Sequence, residues 1–196
     1  MAETTTILAV KALCQTLKLP AVAREAAALA EAAQRQQQSL LAYLQQVLEL
    51  EVAERVARRA ARRLKEARFP IIKTLESFDF RRAPTLPEVP LRQLTEGDYI
   101  NRAETVILLG EPGTGKTHLA TALGVAAAHQ GRAVRFISTG QLVNELIEAK
   151  DARQFNRVVS RYARLELLIV DELGYLPLSK ADAELLFQVL RHQPPY

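Results

Sequence analysis

The sequence predicts an α/β domain built on a parallel sheet and preceded by an all-helical, basic N-terminal domain. Three observations support this architecture. Glycine is absent before Gly97, and Ala, Leu, Glu, Gln and Arg dominate the first 68 residues, a composition that favours helices. Prolines then recur in RRAPTLPEVP. From residue 105 onward, short apolar runs alternate with helical patterns, which is typical of a parallel sheet with right-handed crossovers.

The predicted domain boundaries follow these changes in composition: a helical domain at 1–70, a connector at 71–98 and an α/β domain at 99–196. Within the first domain, we expect one helix from Thr6 to Leu17. Pro20 suits the first position of a second helix, which runs to about Arg35. Ser39 is a suitable N-cap for a third and longest helix, which ends before Pro70.

The third predicted helix has two different faces. One sector, at about 100° per residue, holds the apolar side chains of Val56, Ala60, Leu64 and Ala67. The opposite side carries a basic stripe, which consists of Arg55, Arg58, Arg59, Arg62 and Lys65. Glu51 and Glu54 lie one turn before two of these arginines. The stripe is therefore either a solvated, partly ion-paired surface or a surface that neutralises nucleic-acid phosphates.

The connector is expected to be irregular. The prolines of RRAPTLPEVP are spaced by three residues, which forbids a continuous helix or a central strand there. Leu75, Phe78 and Phe80 are apolar residues in an otherwise polar context. They either pack the connector against the protein or flank a bound base.

The α/β domain contains three predicted strands, at 105–109, 133–137 and 167–170. The last of these is a short continuous apolar run of the kind found in buried parallel strands. Helices are expected from near Gly115 to Gly131, from a Thr139 N-cap to about Lys150, at 153–164 and at 180–191.

A glycine-rich segment, GEPGTGKT, joins the first of these strands to the helix that follows it. Gly110 to Thr117 fits the pattern G-x-x-x-x-G-K-[ST], in which glycines let successive N–H groups point at a phosphate chain. Lys116 would add a cation at the β- and γ-phosphates, and Thr117 would offer a hydroxyl to Mg²⁺. The predicted nucleotide-binding residues are Gly110, Glu111, Pro112, Gly113, Thr114, Gly115, Lys116, Thr117 and, in the first helical turn, His118.

Two acids, Asp171 and Glu172, directly follow the apolar run at 167–170. Acids at the carboxyl end of a buried strand are costly unless they have a role. In a nucleotide site, Asp171 would hold Mg²⁺ beside Thr117, and Glu172 would orient and deprotonate an attacking water. The alternative is a strand followed by an acidic turn. Because a phosphate loop precedes the pair, we predict a nucleotide hydrolase with Glu172 and Lys116 as its catalytic residues.

Composition excludes several other classes of protein. Hydrophobic residues make up 48% of the chain and charged residues 24%, as in ordinary globular proteins. A single cysteine, Cys14, excludes an internal disulfide framework and favours a reducing compartment. The sequence has neither a signal peptide nor an apolar run that could span a bilayer, so we expect no membrane association and, by default, a cytoplasmic location.

Longer segments of the chain resemble the IstB family of transposition helper ATPases, relatives of the DnaC helicase loader within the AAA+ class. The residues that carry the resemblance are GEPGTGKTHLA, LLIVDELGYLPL and FPIIKTLESFDF, and it extends through most of the chain. It implies a P-loop NTPase core of AAA+ type with ATP as the nucleotide and Mg²⁺ as its metal. It also makes Asp171 the Mg²⁺-associated acid and Glu172 the hydrolytic glutamate.

The same resemblance implies partners. They are double-stranded DNA, a transposase and further copies of the chain in an ATP-dependent homo-oligomer. The resemblance therefore favours DNA as the ligand of the basic stripe. A helicase-loader-type ATPase of DNA replication is the alternative within the same class.

The end of the chain departs from the family pattern, because RHQPPY does not continue as the family does. Family members next have a strand with a polar sensor residue, which would lie between the strands at 105–109 and 167–170. Its absence would leave backbone groups of these strands unpaired or force the strands to pair directly. We therefore expect a C-terminally incomplete core that binds ATP weakly and hydrolyses it slowly. A non-hydrolysing DNA-binding remnant is the alternative from a different class.

Overall fold

The computed structural model describes residues 2–174 and 177–191. The chain divides into two compact units, Met1–Arg59 and Ala60–Tyr196. This division falls inside the longest helix, and the domain boundaries expected near residues 70 and 98 stay predictions.

The helices are α1 (Ala2–Thr16), α2 (Pro20–Arg35), α3 (Leu40–Ala67), α4 (Glu88–Leu94), α5 (Asp98–Asn101), α6 (Lys116–His129), α7 (Thr139–Asp151), α8 (Phe155–Tyr162) and α9 (Lys180–Arg191). The strands are β1 (Val134–Ser138) and β2 (Leu167–Asp171). Short 3-10 turns occur in the connector at Leu75–Ser77 and Phe80–Arg82. None of the helices in the described ranges is long and apolar enough to cross a membrane.

The N-terminal unit is entirely helical, as the sequence predicts. Its core is formed by Cys14, Val22, Ala26 and Val47. The second helix has the predicted bounds, and the third begins one residue after Ser39, whose Oγ accepts a hydrogen bond from the N–H of Ala42 at 3.2 Å. The N-cap prediction for Ser39 is therefore confirmed.

A buried carboxylate connects α3 to the start of α2. Glu51 is 3% exposed, and its Oε2 accepts hydrogen bonds from the N–H groups of Ala21 at 2.8 Å and Val22 at 3.3 Å. Its Oε1 accepts a hydrogen bond from Nε of Arg55 at 2.9 Å. The first N–H groups of a helix have no partner within the helix, so Glu51 satisfies donors that burial would otherwise leave unpaired.

The C-terminal unit is built around a parallel pair of strands. β1 and β2 pair in register from Val134 opposite Leu167 to Ser138 opposite Asp171. Alternate side chains contact different clusters, because side chains in a strand point to opposite faces. Val134 belongs to a cluster with Ala127 and Ala128 of α6, whereas Ile137 belongs to a cluster formed by α7, α8 and α9. Helices therefore cover both faces of the pair, and the predicted mixed α/β architecture with a parallel sheet is confirmed.

One expected strand is absent from the described residues. The segment 105–109 has no regular secondary structure and forms no ladder, and the sheet has the order β1–β2 without it. Ile107 and Leu109 are 72% and 88% exposed, while Val106 and Leu108 are partly buried. The strand prediction was wrong because a strand needs a neighbour for its N–H and C=O groups, and the apolar composition of a segment does not show whether that neighbour is present.

Candidate nucleotide-binding site

The glycine-rich segment forms a loop that ends at the first residue of α6. Gly115 is the N-cap of this helix and has φ +93°, and Gly113 has φ +79°. Residues with a Cβ atom rarely adopt such angles, so this backbone path explains both glycines. The amino end of a 14-residue helix thus faces the loop, and its N–H groups and dipole favour an anion.

Lys116 folds back over the loop that precedes it. Its Nζ donates hydrogen bonds to the carbonyl oxygens of Gly110 and Glu111, each at 2.7 Å. The ammonium group is therefore held at the loop, at the position where a phosphate chain would need a cation.

Thr117 and Asp171 are brought together from two distant parts of the chain. Oγ1 of Thr117 donates a hydrogen bond to Oδ2 of Asp171 at 2.9 Å. Thr117 lies in the first turn of α6, and Asp171 is the last residue of β2. Hydroxyl and carboxylate oxygens are hard ligands that suit Mg²⁺, which is usually held by one or two carboxylates with substrate phosphates and waters. The two residues predicted for the metal therefore fit it chemically.

Glu172 follows at the point where the chain leaves the sheet. It is exposed and has φ +60°, a left-handed conformation that is uncommon for a residue with a side chain. Its N–H donates a hydrogen bond to Oδ1 of Asp171 at 3.0 Å. The acidic pair is thus a tight turn in which the first carboxylate binds the backbone of the second acid.

His118 is engaged with the connector. Its Nε2 donates a hydrogen bond to the carbonyl oxygen of Thr74 at 3.1 Å and lies 3.1 Å from Oγ of Ser77. Its ring stacks edge-on against Phe78, with the ring centroids 5.1 Å apart. A role for His118 in ATP binding stays a prediction, since the observed partners of the imidazole belong to the connector.

Sequence reasoning missed the contact between the connector and the phosphate loop. A Cβ atom added to Gly115 would lie 2.7 Å from Cε2 of Phe78. Leu75 is 4% exposed and packs with Leu91 and Leu119 of α4 and α6. The isolated apolar residues of the connector were the available signal, but their sequence did not show which element they would contact.

The arginines of the basic stripe are extensively ion-paired. Arg55 pairs with Glu51 and Arg58 with Glu54, the one-turn pairs expected from the sequence, and Arg62 lies 3.7 Å from Glu66. The pKa of Glu54 lies below its usual value, mainly because Arg24 donates a hydrogen bond to the carboxylate. Burial opposes this shift, and a second hydrogen bond, from Arg58, adds to it. The side chains of these three arginines are still more than half exposed, and Lys65 is exposed as well. DNA binding by the stripe stays a prediction.

Similarity to known proteins assigns this chain to a family. The family model described as "IstB-like ATP binding protein" matches residues 12–194. The chain is 37% identical, over 92% of its length and 68% of the relative, to the "Insertion sequence IS21 putative ATP-binding protein" of Pseudomonas aeruginosa. It is 36% identical, over 90% of its length and 70% of the relative, to the "Insertion sequence IS5376 putative ATP-binding protein" of Geobacillus stearothermophilus. The chain therefore belongs to the family of IstB-like ATP-binding proteins.

Proposed function

We propose that this chain binds and hydrolyses ATP with Mg²⁺ and acts as a helper of DNA transposition. The observation that carries the proposal is the 2.9 Å hydrogen bond between Thr117 and Asp171. It brings the start of α6, with its glycine loop and Lys116, together with the acidic end of β2. These are the two parts that ATP hydrolysis needs, and 54 residues separate them in the sequence.

Each group would have a distinct task. The N–H groups of the loop at 110–117 would bind the phosphate oxygens, and Lys116 would exchange its two loop carbonyls for the β- and γ-phosphates. Thr117 and Asp171 would hold Mg²⁺, which neutralises charge on the phosphates when bound. Glu172 would accept the proton of the attacking water.

The biological setting is proposed from the relatives and from charge. Relatives that match most of this chain carry the name "putative ATP-binding protein" of an insertion sequence. We therefore infer that a transposase is the partner, that double-stranded DNA contacts the basic stripe, and that copies of the chain assemble when ATP is bound. In this proposal, residues 1–70 bind DNA or a partner, residues 99–196 form the ATPase domain, and the protein works in the cytoplasm.

A second candidate is a DNA-associated protein that binds ATP without turnover. The observation that favours it is the unpaired segment 105–109, since no ladder in the described part of the chain joins this segment to β2. Hydrolysis needs Glu172 at a defined distance from the loop, and a displacement of about 1 Å costs on the order of a hundredfold in rate. Binding of phosphates is less sensitive, because the loop and the start of α6 are adjacent in sequence.

Substitution of Lys116 by alanine tests ATP binding. Lys116→Ala should abolish binding in a calorimetric titration while the helical circular dichroism spectrum is retained, because it removes a cation and its two hydrogen bonds to loop carbonyls but no contact within a helix. Lys150→Ala is a matched control, since Lys150 is an exposed lysine in the last turn of α7. Unchanged ATP affinity in Lys116→Ala would refute the assignment of the loop.

Substitution of Glu172 by glutamine separates hydrolysis from binding. Glu172→Gln should bind ATP with the parent affinity but release no phosphate, because the amide cannot accept the proton of the water. Glu148→Gln, at an exposed position in α7, serves as the control. If the parent protein binds ATP but shows no turnover, the second candidate holds; equal turnover in parent and Glu172→Gln would exclude Glu172 as the base.

A further inference from the structure

The β1–β2 ladder ends immediately before a buried threonine. Ser138 pairs with Asp171 in the last step of the ladder, and Thr139 is the first residue of α7. The sequence predicted Thr139 as the N-cap of this helix. In the structure the N-cap is Ser138, whose Oγ accepts a hydrogen bond from the N–H of Gln141 at 3.3 Å. Thr139 has a different partner, because its side chain points towards β2 and is 0% exposed.

The hydroxyl of Thr139 donates a hydrogen bond to the carbonyl oxygen of Asp171 at 2.9 Å. It therefore satisfies a backbone acceptor at the point where the ladder stops. Asp171 is consequently held at three atoms by three separate donors. Thr139 binds its carbonyl oxygen, Thr117 binds Oδ2, and the N–H of Glu172 binds Oδ1.

The residue after this anchor is the one in an uncommon conformation. Glu172 has φ +60°, and such a backbone persists only where the surrounding structure determines it. The Asp171–Glu172 peptide has its carbonyl oxygen fixed by Thr139 and its N–H fixed by Asp171 itself. Removal of the Thr139 hydroxyl would leave this peptide held only at its N–H, and the two carboxylates extend from the two residues that the peptide joins.

We propose that Thr139 is a positioning residue for the acidic pair. Its hydroxyl holds the Asp171–Glu172 peptide so that the Asp171 carboxylate stays beside Thr117 and Glu172 leaves the strand in its left-handed turn. This inference rests on the proposed function, since it assigns a task to Thr139 in binding Mg²⁺ and ATP. A threonine that only satisfies a buried carbonyl would affect the stability of the fold but would leave the dependence of ATP binding on Mg²⁺ unchanged.

The test compares the affinity for ATP in Mg²⁺ with the affinity in EDTA. The dissociation constant in EDTA divided by the dissociation constant in Mg²⁺ reports how well the protein holds the metal. This ratio does not depend on turnover. In Thr139→Val, which keeps the shape but loses the hydroxyl, this ratio should fall by about tenfold, the lower end of the effect expected when a group that orients a metal ligand is removed. In Thr139→Ser, which keeps the hydroxyl, the ratio should equal that of the parent.

Thr95→Val is the matched control. The Thr95 hydroxyl also donates to a backbone carbonyl, that of Arg92 at 2.6 Å, but it lies at the exposed end of α4. Its loss should leave the ratio unchanged. If Thr139→Val does not fold, Thr139→Ala and Thr139→Ser are compared, because this pair differs only in the hydroxyl.

Three outcomes are distinguishable. A reduced ratio in the variants that lack the hydroxyl, with serine restoring it, supports the proposal. A parent-like ratio in folded Thr139→Val, or equal ratios in the alanine and serine variants, overturns it. A parent protein whose ATP affinity does not respond to Mg²⁺ contradicts the proposed function itself, whatever Thr139 does.

Discussion

Gly113 and Gly115 offer a matched pair of substitutions in the phosphate loop. Both have positive φ angles, +79° and +93°. A Cβ atom added at Gly113 would meet nothing within 4 Å, whereas one added at Gly115 would lie 2.7 Å from Cε2 of Phe78. Alanine at either position therefore has to adopt a left-handed backbone, but only alanine at Gly115 also collides with an aromatic ring.

The sizes of the two effects follow from this difference. The left-handed conformation costs a residue with a Cβ atom about 1–2 kcal/mol, which corresponds to a loss of about 5- to 30-fold in affinity if ATP requires that backbone. Gly113→Ala should weaken ATP binding by about this factor. Gly115→Ala should cost about 1–3 kcal/mol more, the range seen when extra atoms are forced into packed sites. The Phe78 ring cannot retreat freely, since Phe80 and His118 contact it with centroid distances of 5.0 and 5.1 Å.

The assay is a double-mutant cycle in the dissociation constant for ATP, measured by calorimetry. Phe78→Ala should recover the additional loss caused by Gly115→Ala but none of the loss caused by Gly113→Ala. Phe187→Ala, at a position that is 62% exposed on α9, controls for removal of a phenylalanine elsewhere. Equal losses at the two glycines, or additive effects of Phe78→Ala and Gly115→Ala, would refute the reasoning.

Two further predictions concern the N-terminal helices. Replacement of four arginines by glutamine should reduce the slope of log affinity for duplex DNA against log salt by up to about 3.6, since each lost phosphate contact contributes about 0.9. These arginines are Arg55, Arg58, Arg59 and Arg62. An unaltered slope, like that expected for the control Lys150→Gln, would make the stripe a solvated surface. For Glu51, burial raises the pKa, but hydrogen bonds from Arg55 and from the N–H groups at the start of α2 outweigh it and leave the pKa lowered. The stabilisation of the folded state by the Glu51 carboxylate is therefore present at neutral pH and is lost as the pH falls below about 4. In that range the melting temperature of Glu51→Gln should depend less on pH than that of Glu49→Gln. Glu49 is an exposed control on the same helix.

Features marked by a short sequence motif were predictable from the sequence. The start of α2 follows from Pro20, which suits the first position of a helix. The contact between Thr117 and Asp171 follows from two motifs, a phosphate loop at the start of a helix and an acid at the end of a parallel strand. In each case a short motif carries the information, even where two motifs 54 residues apart meet.

Features that no short motif marks were not predictable in the same way. The run at 105–109 has the composition of a buried strand, yet Ile107 and Leu109 are exposed because no described strand lies beside them. Thr139 is a residue type suited to an N-cap, yet its hydroxyl donates a hydrogen bond to the carbonyl oxygen of Asp171, 32 residues further along the chain. Threonine is equally suited to both tasks, so the choice depends on what folding brings within reach of the side chain.

The connector is part of the nucleotide site, because folding brings its side chains into contact with the phosphate loop. A ladder would set the distance between the phosphate loop and Asp171 through regularly spaced hydrogen bonds. In its place, Val106 packs against the cluster around Tyr99, and Leu108 packs against the cluster that contains Leu75 of the connector. Phe78 adds a contact at Gly115, at the start of α6. Because packing of this kind resists displacement less sharply than a ladder does, loss of connector side chains should move the loop relative to Asp171 and weaken ATP binding before it unfolds the sheet.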